Sequence, residues 1–226
     1  MSESAGPPGS TPAKPAAARS VSGIVLAGGR SSRFGTDKLA ARFGDSSLLE
    51  RAVAAVAAVA AVSTEVIVVL AAGDERELPA ASVPIGRAVD PEPFGGPLVG
   101  LLAGLEAARE PVAVVVGGDM PTLAPDVLRL LIRALSAREG SRDAAVLVQR
   151  GHARPLPCAV RNGTATQAAR RLLGEGERSL RALIRSINTL SVAEADWRPL
   201  DPTAATLLDI DVPGDLPVDP QESSQM

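Results

Sequence analysis

Two short stretches carry side chains suited to phosphate chemistry. Residues 26–38 read Leu-Ala-Gly-Gly-Arg-Ser-Ser-Arg-Phe-Gly-Thr-Asp-Lys. Gly28 and Gly29 let a backbone approach a ligand and point amides at it, while Arg30, Arg33 and Lys38 bring cations to the same place. That combination suits a polyphosphate. It is not a Walker A loop, which ends Gly-Lys-Ser/Thr, and the dinucleotide fingerprint Gly-x-Gly-x-x-Gly is absent. A glycine turn with solvated cations is the plain alternative. The second stretch, Gly-Gly-Asp-Met-Pro-Thr at 117–122, places Asp119 where one carboxylate could hold Mg²⁺ against nucleotide phosphates. The alternative is a helix cap, but Pro125 predicts a helix that begins later than capping by Asp119 needs.

The elements around these loops follow from periodicity. Short β-branched runs alternate with helical segments from Val21 onward, which predicts an α/β fold: a mostly parallel sheet with helices on both faces. Strands are expected at Val21–Ala27, Glu65–Leu70, Val83–Val89 and Val112–Val116, the last an apolar run suited to a central strand. Helices are expected at Leu48–Val62, from Pro97 with Leu98, Leu101, Leu102 and Leu105 on one face, and around Leu128, Leu131, Ile132 and Leu135. Beyond Gly140, strands at Ala144–Gln149 and Pro155–Val160 lie close enough to form a hairpin, so one antiparallel strand enters the sheet. Helices near Thr164–Leu173 and Leu180–Ile184 follow, and the chain past Pro213 is a short helix or a frayed tail. Both chemical loops then sit at the carboxyl ends of parallel strands, where ligands of open α/β sheets bind.

Composition narrows the chemistry. The chain has 226 residues, 46% of them hydrophobic, 22% charged, with a net charge of −3, the balance of one folded domain. One cysteine and one histidine exclude a disulfide framework, a multi-cysteine zinc site and His-rich metal sites. Aromatic residues at 2% without tyrosine exclude stacking platforms for nucleic acid. Residues 1–20 are rich in Pro, Ala, Gly and Ser and lack the apolar core of a secretory signal, so a disordered tail is expected there. The span 21–218 is expected to form one domain, with a second tail at 219–226. No run is continuous enough to span a membrane, and a cytoplasmic location is expected. His152 is expected in an exposed hairpin turn, Cys158 in the core, and Trp197 as a packing anchor.

Taken together, LAGGRSSRFGTDK, GGPLVGLLAGL, GGDMPTL, RPLPCAV, GERSLRALI and LLDIDVPGDL resemble, in order, the signatures of the molybdenum cofactor guanylyltransferases. The resemblance covers Ser22 to Leu216. It implies a Rossmann-like three-layer αβα sandwich of the nucleotide-diphospho-sugar transferase type, nucleotide-binding in its first half and acceptor-binding in its second. The implied reaction transfers GMP from GTP to the phosphate of molybdopterin, or of its molybdenum-loaded form, releasing pyrophosphate. Implied partners are those two substrates, other cofactor-synthesis proteins and recipient molybdoenzymes, without nucleic acid or membrane. Leu26, Ala27, Gly28 and Gly29 would wrap the nucleotide, with Gly96, Pro97 and Leu98 packed around it. Arg33 and Lys38 would neutralise the triphosphate and Asp119 would bind Mg²⁺, these three forming the catalytic set. Asp90 would accept from guanine. Arg154, Pro155, Arg178 and Ser179 would meet the pterin acceptor, with Gly176 and Glu177 nearby.

Four residues depart from the family pattern. Phe34 stands where Met is usual, and Arg154 where a histidine is. Asp209 and Asp211 occupy an Asn-x-Asn position of the guanylyl enzymes; related cytidylyltransferases often carry Asp-x-Asp there, which makes CTP the alternative nucleotide. Either aspartate, Asp211 in particular, is a candidate second Mg²⁺ ligand or a capping carboxylate before Pro213. A carrier that binds without transfer is the non-enzymatic alternative, against which Arg33, Lys38 and Asp119 speak.

Overall fold

The computed structural model describes residues 20–28, 34–35, 37–59, 63–92, 95–136 and 142–216. The expected terminal tails lie almost wholly outside these residues. Strand β1 (Val21–Leu26) is followed by a two-residue hairpin of β2 (Arg42–Phe43) and β3 (Ser46–Ser47), then α1 (Leu48–Ala57) and β4 (Ser63–Ala71). Next come β5 (Ile85–Asp90), α2 (Pro97–Ala107), β6 (Val112–Gly117) and α3 (Pro125–Ser136). The second half holds β7 (Ala144–Gln149), β8 (His152–Arg161), α4 (Asn162–Gly174), α5 (Leu180–Ser186), β9 (Thr189–Val192) and α6 (Glu194–Trp197).

Seven strands form one sheet in the order β5-β4-β1-β6-β8-β7-β9. All run parallel except β8, which is antiparallel to both β6 and β7. The fold is therefore the three-layer sandwich expected from the alternation of strands and helices. Period-2 packing builds its layers: Val112, Val114 and Val116 of β6 bury into one cluster with α1 and α3. Ala113 and Val115 bury on the other face with α2, α4 and α5. Trp197 is fully buried and its indole N–H donates to the Val148 carbonyl at 2.9 Å, as an anchor should.

Some boundaries differ from expectation. Helix α1 ends at Ala57 rather than Val62; its start is fixed by a capping box, in which Ser47 Oγ accepts from the Glu50 amide at 3.2 Å and Glu50 accepts from the Ser47 amide at 2.6 Å. The Ala/Val run beyond it offers no comparable stop signal. The β7–β8 turn is a tight one at Arg150 (φ 49°) and Gly151 (φ 78°), the positive-φ pair that matches strand twist. His152 is consequently the exposed first residue of β8. Strand β9 and the β2–β3 hairpin, four and two residues per strand, are too short to leave a periodic signal. No helix among the described residues is long and apolar enough to cross a membrane.

Candidate active site

The carboxyl ends of β1, β4, β5 and β6 meet at one edge, and a cleft of about 390 Å³ opens there. Leu26, Gly28, Asp90, Gly96, Pro97 and Asp119 line it, so six of the residues expected around the nucleotide converge. Ala27 and Leu98 are buried behind the wall; Ala27 fixes the loop by donating its amide to the Val69 carbonyl at 2.8 Å. Gly29 and Arg33 lie outside the described residues. Val69, Gly100, Gly117 and Leu156 also line the cleft; the last three lie in the quoted motifs without a role of their own, and Val69 reads as an ordinary strand residue.

The cations and carboxylates at this edge are already coupled. Lys38 Nζ donates to Asp119 Oδ2 at 2.9 Å and to Asp211 Oδ1 at 3.2 Å. Burial works against its charge, but the bonds to Asp119 and Asp211 prevail and raise its pKa above the ordinary lysine value. Asp37 caps the short turn Lys38–Ala40 by accepting from the Leu39 amide at 3.1 Å, and so presents Lys38. Arg76 reaches Asp37 at 3.3 Å while also pairing with Asp74, a brace the sequence did not reveal because it joins two loops. Gly117 gives Asp119 room: a Cβ there would stand 2.5 Å from Asp119 Oδ1.

Asp211 arrives from the far end of the chain. The Ile210 amide donates to the Asp119 carbonyl at 3.1 Å, and the fully buried Ile210 packs with Phe34 and Leu48. Asp215, not Asp211, supplies the cap: its carboxylate accepts from the amides of Asp211 and Val212 at 2.8 and 2.9 Å. That leaves the Asp211 carboxylate free to face Lys38, while Asp209 is exposed. Asp119 and Asp211 thus form an oxygen-only pair around a position that holds a cation, a donor set that fits Mg²⁺. No larger cluster of His, Cys, Asp or Glu exists among the described residues.

Asp90 ends β5, three strands across the sheet from β6, or about 14 Å from Asp119 at ordinary strand spacing. Desolvation raises its pKa above the usual carboxylate range, and Glu92 adds to this by its charge although its amide donates to Asp90 at 3.1 Å. One backbone donor leaves most of that carboxylate's accepting capacity open.

The family model of the MobA-like NTP transferase domain matches residues 23–192. The chain belongs to this family. A probable molybdenum cofactor guanylyltransferase of Chloroflexus aggregans is 36% identical over 202 residues, 87% of this chain and 91% of that protein. The molybdenum cofactor guanylyltransferase of Burkholderia vietnamiensis is 33% identical over 188 residues, 79% of this chain and 88% of its own. The crystal structure of molybdopterin-guanine dinucleotide biosynthesis protein A from Archaeoglobus fulgidus superposes with a TM-score of 0.65 at 20% identity, covering 91% of this chain and 100% of that one. Membership makes the chain a nucleotidyltransferase.

The four residues expected at the acceptor divide between two places. Arg154 and Pro155 line a second concavity beyond Leu156. Arg178 instead braces the start of α2. Its carbonyl accepts from the Leu98 amide at 3.2 Å, an otherwise orphan donor in the first turn of α2. Gly96 there has φ 92°, and a Cβ on it would approach Arg178 Cβ to 2.8 Å, so only glycine fits. Ser179 caps α5, accepting from Arg181 and Ala182 amides. Cys158 is a free, buried thiol pushed up to about 12 by desolvation, the expected core residue.

Proposed function

We propose that this protein transfers GMP from GTP to the phosphate of molybdopterin, forming the guanine dinucleotide cofactor and pyrophosphate. The observation that carries the choice of nucleotide is the Asp90 carboxylate, largely unpartnered at the end of the cleft opposite Lys38 and Asp119. Guanine presents adjacent N1–H and N2–H donors that one carboxylate can accept together, and cytosine has no such pair. Asp211 pairs with Lys38 at the phosphate end, so its acidic type bears on the metal and not on the base.

The reaction joins two anions. An oxygen of the acceptor phosphate forms the new bond to the α-phosphorus of GTP, the bond to the bridging oxygen breaks, and pyrophosphate leaves with that electron pair. The attacking phosphate is already ionised near neutrality, so no general base is needed. Lys38, with Arg33 from the preceding loop, offsets the repulsion and the charge that develops on the leaving group. Asp119 and Asp211 would hold Mg²⁺, which supplies Lewis-acid stabilisation of the phosphate oxygens when bound. In this reading Asp90 takes the base and Lys38 the phosphates, and the fixed spacing of the strand ends that carry them would orient the nucleotide.

Calorimetric titration with GTP, CTP and ATP, each with Mg²⁺, followed by an assay of GMP transfer to molybdopterin, tests the reading. Selective binding of GTP and release of pyrophosphate are expected. Selective binding of CTP would replace it with the cytidylyl reaction, and GTP binding without transfer would point to a carrier.

A further inference from the structure

The second concavity, about 430 Å³, is lined by His152, Arg154 and Pro155 of β8 and by Arg181, Ile184 and Arg185 of α5. It adjoins the nucleotide cleft, because Pro155 lines one and Leu156 the other, and consecutive Cα atoms are about 3.8 Å apart. Strand β8 bows between them. Its register with β7 jumps from Val146–Cys158 to Leu147–Arg154, which leaves Pro155, Leu156 and Pro157 without partners on β7; Pro155 lines one hollow and Leu156 the other.

Positive charge is concentrated here. Arg170, Arg171, Arg178 and Arg198 each pair with a glutamate. Arg154, Arg181 and Arg185 make no side-chain hydrogen bond or ion pair among the described residues, nor does His152. Arg181 and Arg185 stand one helical turn apart, where like charges destabilise a helix, and Arg154 faces the same hollow from the strand. In a chain of net charge −3, three uncompensated guanidiniums around one concavity work against folding and favour a bound anion. Guanidinium forks match oxyanions with several acceptor oxygens, and Pro155 and Ile184 give the hollow an apolar lining suited to the organic body that carries such a group.

We propose that Arg181 and Arg185, together with Arg154 and with His152 at the rim, anchor the anionic acceptor by an oxyanion group beside the nucleotide cleft. This rests on the transfer reading for the acceptor's identity, while the oxyanion site itself does not. Arg178 and Ser179 then act on the protein's own backbone, and the acceptor is met by α5 one turn further on.

The test uses inorganic phosphate as probe on protein saturated with GTP and Mg²⁺, comparing wild type with Arg181→Ala/Arg185→Ala. Both side chains are exposed, so the fold should persist, with thermal unfolding as control. Wild type is expected to bind phosphate without releasing GTP, and the double variant to bind it about tenfold or more weakly, the loss expected for charge-assisted bonds. The KM for molybdopterin should rise by a similar factor of about ten with kcat changed little, and Arg→Lys at both positions should restore part of it. Phosphate binding that is absent in wild type, or unchanged in the variant, overturns the oxyanion site. An unchanged KM in a protein that transfers overturns its role toward the acceptor. Phosphate binding lost in the variant, with no transfer by wild type, supports the oxyanion site and overturns the transfer reading instead.

Discussion

Asp90, assigned to the base in the proposed reading, would cost the nucleotide-free protein stability. Desolvation raises its carboxyl pKa, so the folded state prefers the protonated form. The stability linked to this group is complete below the unfolded value, about pH 4, and is lost as the pH rises through the raised folded value. Asp90→Asn should therefore raise the melting temperature of the nucleotide-free protein at about pH 7, with the gain fading toward about pH 4. The same variant loses the doubly accepting carboxylate, and its preference for GTP over CTP should fall about tenfold or more. Thermal unfolding across pH and paired nucleotide titrations check both. A variant that melts lower at neutrality while keeping its GTP preference would show that the base is recognised elsewhere. Lys38 is the contrasting residue: its partners are in place before any ligand arrives, so its charge is secured by Asp119 and Asp211.

At the scale of elements, the C-terminal return decides whether Asp211 reaches Lys38. Buried Asp201 organises that return, accepting from the Thr206 amide at 2.7 Å, the Ala205 amide at 3.0 Å and the Thr203 hydroxyl at 3.3 Å. Burial would raise its pKa, but these bonds prevail and hold it low. Its stabilisation is thus present above the unfolded value and disappears as the pH falls through the lowered folded one. Asp201→Ala strands two backbone donors and should cost about 2 kcal/mol near neutrality, measured by urea unfolding, with the deficit shrinking in acid. Mg²⁺ dependence should weaken more than GTP binding, since Asp211 is carried by this segment; equal losses would mean that Ile210 packing alone holds it. The parallel half of the sheet was legible because Val112–Val116 and the helix from Pro97 announce themselves by composition and period. Lys38, Asp90, Asp119 and the Gly-Pro-Leu turn were legible from residue type and family pattern. The meeting of Asp119 with Asp211, 92 positions later by their numbers, depends on tertiary return; only the family position of Asp209 and Asp211 offered it, with the choice between the two aspartates left to the fold. Arg181 and Arg185 were illegible for another reason: two arginines on a seven-residue helix look like any solvated face until β8 is placed opposite them.

Over the whole molecule, the reversed strand β8 separates two kinds of positive charge. On the parallel side Lys38 is only 12% exposed and already paired. On the other side Arg181 and Arg185 are exposed, with no side-chain partner among the described residues. Mobile ions screen exposed charges over a Debye length of about 10 Å at 0.1 M salt, and partly buried pairs much less. Both substrates are anions meeting a protein of net charge −3, so their attraction comes from these local groups and not from the overall field. Raising KCl from about 0.05 M to about 0.5 M should then increase the KM for the pterin substrate more steeply than the Kd for GTP with Mg²⁺. Arg181→Ala/Arg185→Ala should flatten the first dependence and leave the second as it was. Steady-state kinetics and calorimetry over a salt series measure the two slopes. Parallel slopes in wild type would mean that a shared field governs both substrates, and the division of labour across β8 would not hold.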